Sequence, residues 1–295
     1  LGGLTVEAQN AYTVAGSGFT LDNGAAAPFL AVKRGAHGVS APLTLAGDLA
    51  VNVASGTLLA FGGALGGSGA LVKEGDGEAW LTQPNSYAGG TLLKQGPLLL
   101  SGSTTLGSGP VTVNGGSGFR VVGAAPLTLD NDLALATAFA VNALSNSLAL
   151  TGSIDWQGSS VSLSKSGGHE LSLSGTGAET ALARFAVENG RLAFKAGADF
   201  SLLSTAERDV INMRANNSNV REVVLESGSQ VTVAGIDMEY GASNTVRVSG
   251  GRLRVLGGGG SADAVSMRGQ GAGLDRFIVD AGEVTVDEGK WFGVG

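Results

Sequence analysis

The chain has 295 residues, 50 of them glycine, 6 proline and none cysteine; 43% are hydrophobic, 5% aromatic and 15% charged, and the net charge is −7. The hydrophobic share excludes disorder, the few prolines and the lack of a three-residue glycine period exclude collagen, and the acidic balance speaks against nucleic acid as a partner. Without cysteine there are no disulfide frameworks, cysteine-based zinc sites or thiol catalysis, and no apolar run reaches the roughly 20 residues that span a bilayer.

Leu1 carries neither an initiator methionine nor a secretion-signal pattern, so the chain reads as a segment of a longer protein. From there on the recurring unit is three to five alternating residues closed by glycine, asparagine or aspartate. Leu43-Thr44-Leu45, Val111-Thr112-Val113, Leu171-Ser172-Leu173, Val231-Thr232-Val233, Leu253-Arg254-Val255 and Val284-Thr285-Val286 are the clearest cases. Such alternation predicts short strands with one face buried, and the closing residues predict sharp corners. The expected core therefore takes Leu43, Leu45, Leu127, Leu129, Leu171, Leu173, Val231, Val233, Val284 and Val286. One stretch, Ser204 to Arg214, has a helical alternative: Ser204 and Glu207 have capping-box spacing, and Ala206, Val210 and Met213 share a helical face. The asparagines that follow it favour a loop leading into another strand.

Internal repetition is visible as well. Ala41-Pro42-Leu43-Thr44-Leu45 recurs as Ala125-Pro126-Leu127-Thr128-Leu129, while Lys73, Gly75, Glu78 and Leu81 recur as Lys165, Gly167, Glu170 and Leu173. The two blocks read as diverged copies with a few residues inserted between anchor points. The intervals are too long for hairpins with two-residue turns, and the glycine punctuation leaves no room for crossover helices. Coils of three short strands fit, at roughly 22 residues per coil, giving about 13 coils and a rod on the order of 60 Å. Residues 1–180 hold 17 charged side chains and 181–295 hold 26, which places a soft boundary near 180 within one solenoid.

Gly35 to Leu43, Leu65 to Lys73, Trp80-Leu81-Thr82, Asn85-Ser86-Tyr87-Ala88-Gly89-Gly90-Thr91, Gly96-Pro97-Leu98-Leu99-Leu100 and Leu106 to Val113 together resemble an autotransporter-associated β-strand repeat. A second copy at 148–175 lacks the Asn-x-Tyr-x-Gly-Gly-Thr run, and Trp291 to Gly295 looks like the start of a further repeat. The resemblance implies an all-β chain forming a single right-handed parallel β-helix, a β-solenoid with Gly/Asn/Asp corners. On that basis residues 1–180 hold two diverged autotransporter-type repeats, and 181–295 are a more polar continuation truncated at its C-terminus. It also implies export to the bacterial cell surface, with membrane attachment only through a translocator barrel missing from this chain.

Chemistry has few candidates. His37 and His169 both read as structural or solvent-facing, and nucleophile-elbow, phosphate-loop and His-Glu-x-x-His signatures do not occur. Gly269 to Gly273 has the wrong spacing for a dinucleotide loop and reads as a turn. Glu74-Gly75-Asp76-Gly77-Glu78 sets three acids at two-residue spacing and is the one candidate calcium loop, against a solvated corner. Asp130 with Asp132, and Asp237 with Glu239, can project from one strand face as paired acids. Tyr87 belongs to the repeat and reads as structural, while Trp80, Trp156 and Trp291 lie too far apart for a sugar-binding platform.

The expected function is thus a non-catalytic extracellular structural or adhesive module with no cofactor, whose partner is a surface glycan or protein. A β-helical carbohydrate-active hydrolase or lyase is the first alternative; three clustered carboxylates, or a carboxylate with an arginine in one groove, would favour it. A self-assembling surface filament is the second, because neither terminal sequence looks like a polar cap and bare coil edges recruit other chains.

Overall fold

The computed structural model describes residues 2–102, 105–157, 160–179, 182–203, 211–213, 219–238, 243–257, 263–267, 274–287 and 291–294. Within these the chain is all-β: short strands wind into a parallel β-solenoid, and no helix is present, let alone one long and apolar enough to cross a membrane.

The coils contribute strands to three faces, one of which is interrupted. The first face carries Phe19–Leu21, Leu43–Leu45 and Leu65–Gly67, and resumes at Leu127–Leu129. The second runs in eight strands from Gly3–Val6 to Ile154–Trp156 and continues through Thr176–Glu179. The third is a single 13-stranded sheet from Thr13–Val14 to Trp291–Val294, with one strand from every coil. The strands pair in parallel, which requires a long return path between partners, and here that path is the rest of the coil. Thirteen strands at about 4.8 Å spacing give a rod on the order of 60 Å.

Coil length varies. Stacked positions are 22 residues apart from Leu43 to Leu65 and 21 from Leu127 to Leu148, but 31 from Leu192 to Val223 and again 31 from Val246 to Phe277. One hydrophobic cluster runs the length of the interior. Leu43, Leu45, Leu127, Leu129, Leu171, Leu173, Val231 and Val233 are all buried in it. Val284 and Val286 also point at the cluster but are only partly buried, because no described coil stacks beyond theirs.

One expectation needs correction and one alternative is decided. Within Ser204 to Arg214, Ile211–Asn212 is a strand of the third face, paired between Phe185 and Ile236, in line with a loop leading into another strand; 204–210 and 214 lie outside the described residues. The Lys73 and Lys165 blocks are not copies in equivalent places. Lys73 is the penultimate residue of a second-face strand, Leu71–Glu74, whereas Lys165 holds that place in the third-face strand Ser160–Ser166. What recurs is a corner, displaced by one face.

That corner has a physical logic. Both lysines are fully buried, and each ammonium donates to the carbonyls of the next two residues and to one carbonyl of the following coil. For Lys73 these are Glu74, Gly75 and Gln95 at 2.7–3.0 Å; for Lys165 they are Ser166, Gly167 and Asn189 at 2.6–2.9 Å. Three donors meet three acceptors that the turn has left without strand partners. Gly75 follows with φ +73°, and a Cβ there would lie 2.4 Å from the Val53 carbonyl oxygen, so the corner excludes any other residue.

Candidate functional site

Strand alternation fixes which side chains leave the rod. In Ser117–Val122 and Phe139–Ala143 the residues Phe119, Val121, Phe139 and Val141 fill the interior, so Gly118, Arg120, Ala140 and Asn142 face outward. In-register pairing stacks Pro97, Gly118, Ala140 and Ser164 in one column and Leu99, Arg120, Asn142 and Ser166 in the next. A Cβ on Gly118 would come within 2.2 Å of the Ala140 carbonyl oxygen, so bare backbone forms the floor here. The result is a shallow depression of about 460 Å³ on the third face. Arg120 reaches across the intervening strand to an ion pair with Glu78. Two polar atoms nearby are buried without a hydrogen-bond partner: Ser117 Oγ, on the inward side of its strand, and Asn142 Oδ1, which lies against the Gly167 corner.

A second concavity, about 600 Å³, opens on the first face where its sheet is interrupted between Leu65–Gly67 and Leu127–Leu129. The interruption coincides with the Asn85 to Thr91 run. Asn85 replaces strand bonding there: its Oδ1 accepts from the Leu65 amide at 2.9 Å, and its Nδ2 donates to the Gln83 and Thr105 carbonyls. Tyr87 fills the interior, its hydroxyl 2.7 Å from Thr91 Oγ1, so the tyrosine is structural. Asp130 and Asp132 stand exposed on the rim of this cleft, flanking the buried Asn131, whose amide donates to the Gly107 and Gly109 carbonyls. Asp132 accepts from both the hydroxyl and the amide of Ser153 at 2.8 Å, and these bonds hold its pKa below the ordinary carboxylate value.

The candidate calcium ligands are each drawn to a different partner. Glu74 pairs with Lys94 at 2.9 Å, Asp76 accepts from Gln95 Nε2 at 2.7 Å, and Glu78 pairs with Arg120. Among the described residues no group of three or more His, Asp or Glu is placed to hold a metal ion. Asp237 is buried in the third face, while Glu239 and the Gly269 to Gly273 turn lie outside the described residues. His37 is structural, its Nδ1 accepting from the Tyr12 amide at 3.1 Å and its Nε2 lying 2.7 Å from the Arg34 carbonyl; His169 is exposed at a corner. Trp80 faces outward and donates to Ser101 Oγ, whereas Trp156 packs in the core against Phe185, so the two form no platform; the side chain of Trp291 lies outside the described residues.

Carboxylates do cluster farther along the rod. Arg191 contacts Glu170, Glu222 and Glu226 at 3.1–3.7 Å, and Lys195 contacts Glu170 and Glu226 at 3.1 and 2.7 Å. These side chains line a strand face in alternating sign, so each carboxylate is matched by a cation. A small groove of about 190 Å³ on the second face holds Arg252 and Glu283, paired at 3.5 Å. Sequence reasoning missed Arg120, Asn142 and Ser164. Their one local signal is Gly118, a glycine inside an otherwise regular strand.

No family model matches the chain, and no solved structure matches it. The chain is 30% identical over 207 residues, 70% of its length, to the adhesin BmaC autotransporter of Brucella suis, and the aligned region is 5% of that protein.

Proposed function

We propose that the chain is a stretch of the exported passenger of an autotransporter and works at the bacterial surface as a non-catalytic adhesive module. The similarity to an autotransporter adhesin over 207 residues carries this reading, and the parallel solenoid agrees with it. Residues 1–180 then hold the autotransporter-associated β-strand repeats and 181–295 their more polar continuation, with a translocator barrel as the link to the membrane. The rod offers long, flat outward faces that a surface can meet without any induced change.

The test is display. Fused to a translocator barrel on a non-adherent bacterium, the chain should become accessible to added protease and raise attachment to cultured cells several-fold over the empty barrel. Full surface exposure with no gain in attachment would reject adhesion.

Three observations favour a second reading, a polysaccharide hydrolase or lyase: Glu170, Glu222 and Glu226 gather around Arg191, Arg252 and Glu283 share a groove, and Asp130 and Asp132 share the rim of a cleft large enough for a sugar. The bonds from Ser153 hold Asp132 in its charged form, the state a base or nucleophile needs, so the proton donor would have to be Asp130. The adhesive reading expects no reducing ends to be released from neutral or acidic polysaccharides. Release that Asp130→Asn abolishes would establish the enzyme instead.

A further inference from the structure

We infer that the depression on the third face is a binding site for an uncharged glycan; this rests on the adhesive reading and names its ligand class. Four consecutive strands present two parallel columns of different character. Pro97, Gly118 and Ala140 make a flat, weakly apolar strip. Beside it, Arg120, Asn142 and Ser166 form a strip of hydrogen-bonding groups, and Ser164 closes the apolar column with a hydroxyl. A pyranose ring has this same division, with C–H groups on its faces and hydroxyls, each donor and acceptor, around its edge. Guanidinium, amide and hydroxyl groups are the side chains that satisfy such an edge.

Charge then narrows the class. Arg120 is already neutralised by Glu78, and the chain carries a net charge of −7, so neither the site nor the field around it favours sulfated or sialylated sugars. The shallow, partly polar form also fits poorly with an apolar small molecule, which needs a deep hydrophobic pocket.

The experiment uses the full chain on an array of neutral hexose and N-acetylhexosamine oligosaccharides with sialylated and sulfated counterparts, followed by calorimetry on the strongest neutral binder. Ala140→Trp fills the floor from an exposed position and Ser164→Trp fills its end; both should weaken neutral binding by about tenfold or more while leaving the melting temperature unchanged. Ser86→Trp, in the first-face cleft, should leave it unaltered. Binding to acidic glycans alone, neutral binding that both tryptophan variants retain, or no glycan binding at all would each overturn the inference. Attachment of chain-coated beads to cells separates the two levels. Beads that adhere without any glycan binding sink the glycan site and spare adhesion, whereas beads that never adhere sink the adhesive reading.

Discussion

Lys73 and Lys165 show how one side chain can close a corner and join two coils. Replacing either with methionine keeps the bulk but strips a charged donor from three carbonyls. Lys73→Met and Lys165→Met should therefore each destabilise the fold by about 3 kcal/mol, read from denaturant unfolding. An unchanged midpoint would mean water takes over those carbonyls. Removal from water also pulls both pKa values down from 10.5 to about 8, and for Lys73 the nearby Asp76 and Glu74 offset part of that. The unfolded chain thus binds more protons than the folded one between about pH 8 and 10.5, so these lysines make stability rise with pH in that window. Burial shifts Tyr87 the other way, raising its pKa above the ordinary 10, so its contribution is present below pH 10 and lost as pH climbs further. The unfolding midpoint should climb from pH 8 towards 10 and fall beyond it, and the double methionine variant should lose the climb. A midpoint that falls steadily from pH 8 in the native chain would contradict this.

At the scale of the strand, the ladder around Arg191 explains why charge accumulates after residue 180. Glu170, Arg191 and Glu222 are register partners on successive first-face strands, so alternating sign turns what would be cross-strand repulsion into attraction. The side chains are only partly shielded from water, so each pair contributes little and salt weakens it. Arg191→Gln should cost about 1 kcal/mol at low ionic strength because Glu170 and Glu226 are then left to share Lys195, and Glu222 keeps only Arg247. In 1 M NaCl the native chain and the variant should nearly coincide in a thermal melt. A difference that salt leaves untouched would point to packing by the arginine stem instead.

For the whole molecule, stacking makes stability close to one-dimensional: each coil rests on its neighbours and not on distant ones. The interior between Trp156 and Phe200 is tied by edge-to-face aromatic contacts, Phe185 meeting Trp156, Phe194 and Phe200 at centroid distances of 5.4–5.7 Å. Phe185→Ala should cost about 3–5 kcal/mol. Its effect on amide hydrogen exchange should be local, speeding the strands from Ile154–Trp156 to Asp199–Leu202 and sparing those from Leu43–Leu45 to Glu78–Leu81. Uniform acceleration along the rod would show a single cooperative unit instead.

The sequence by itself determined the strands, their inward residues and the parallel solenoid, because alternation and glycine corners are local patterns that burial enforces one strand at a time. Eight of the ten residues expected in the core are buried, and Val284 and Val286 fall short only because theirs is the last described coil. Tertiary structure alone decided what stacks on what. Coils of 21, 22 and 24 residues place Pro97, Gly118, Ala140 and Ser164 in one column, and no fixed period in the sequence could have aligned them. The same freedom moved the Lys165 corner one face away from that of Lys73, although the two read alike. Glu74, Asp76 and Glu78, whose two-residue spacing suggested a shared ion, each meet a different cross-coil partner instead, Lys94, Gln95 and Arg120. A corner is set by the few residues within it, whereas a site on the face of a solenoid is set by register between coils, and register depends on the length of every loop between them.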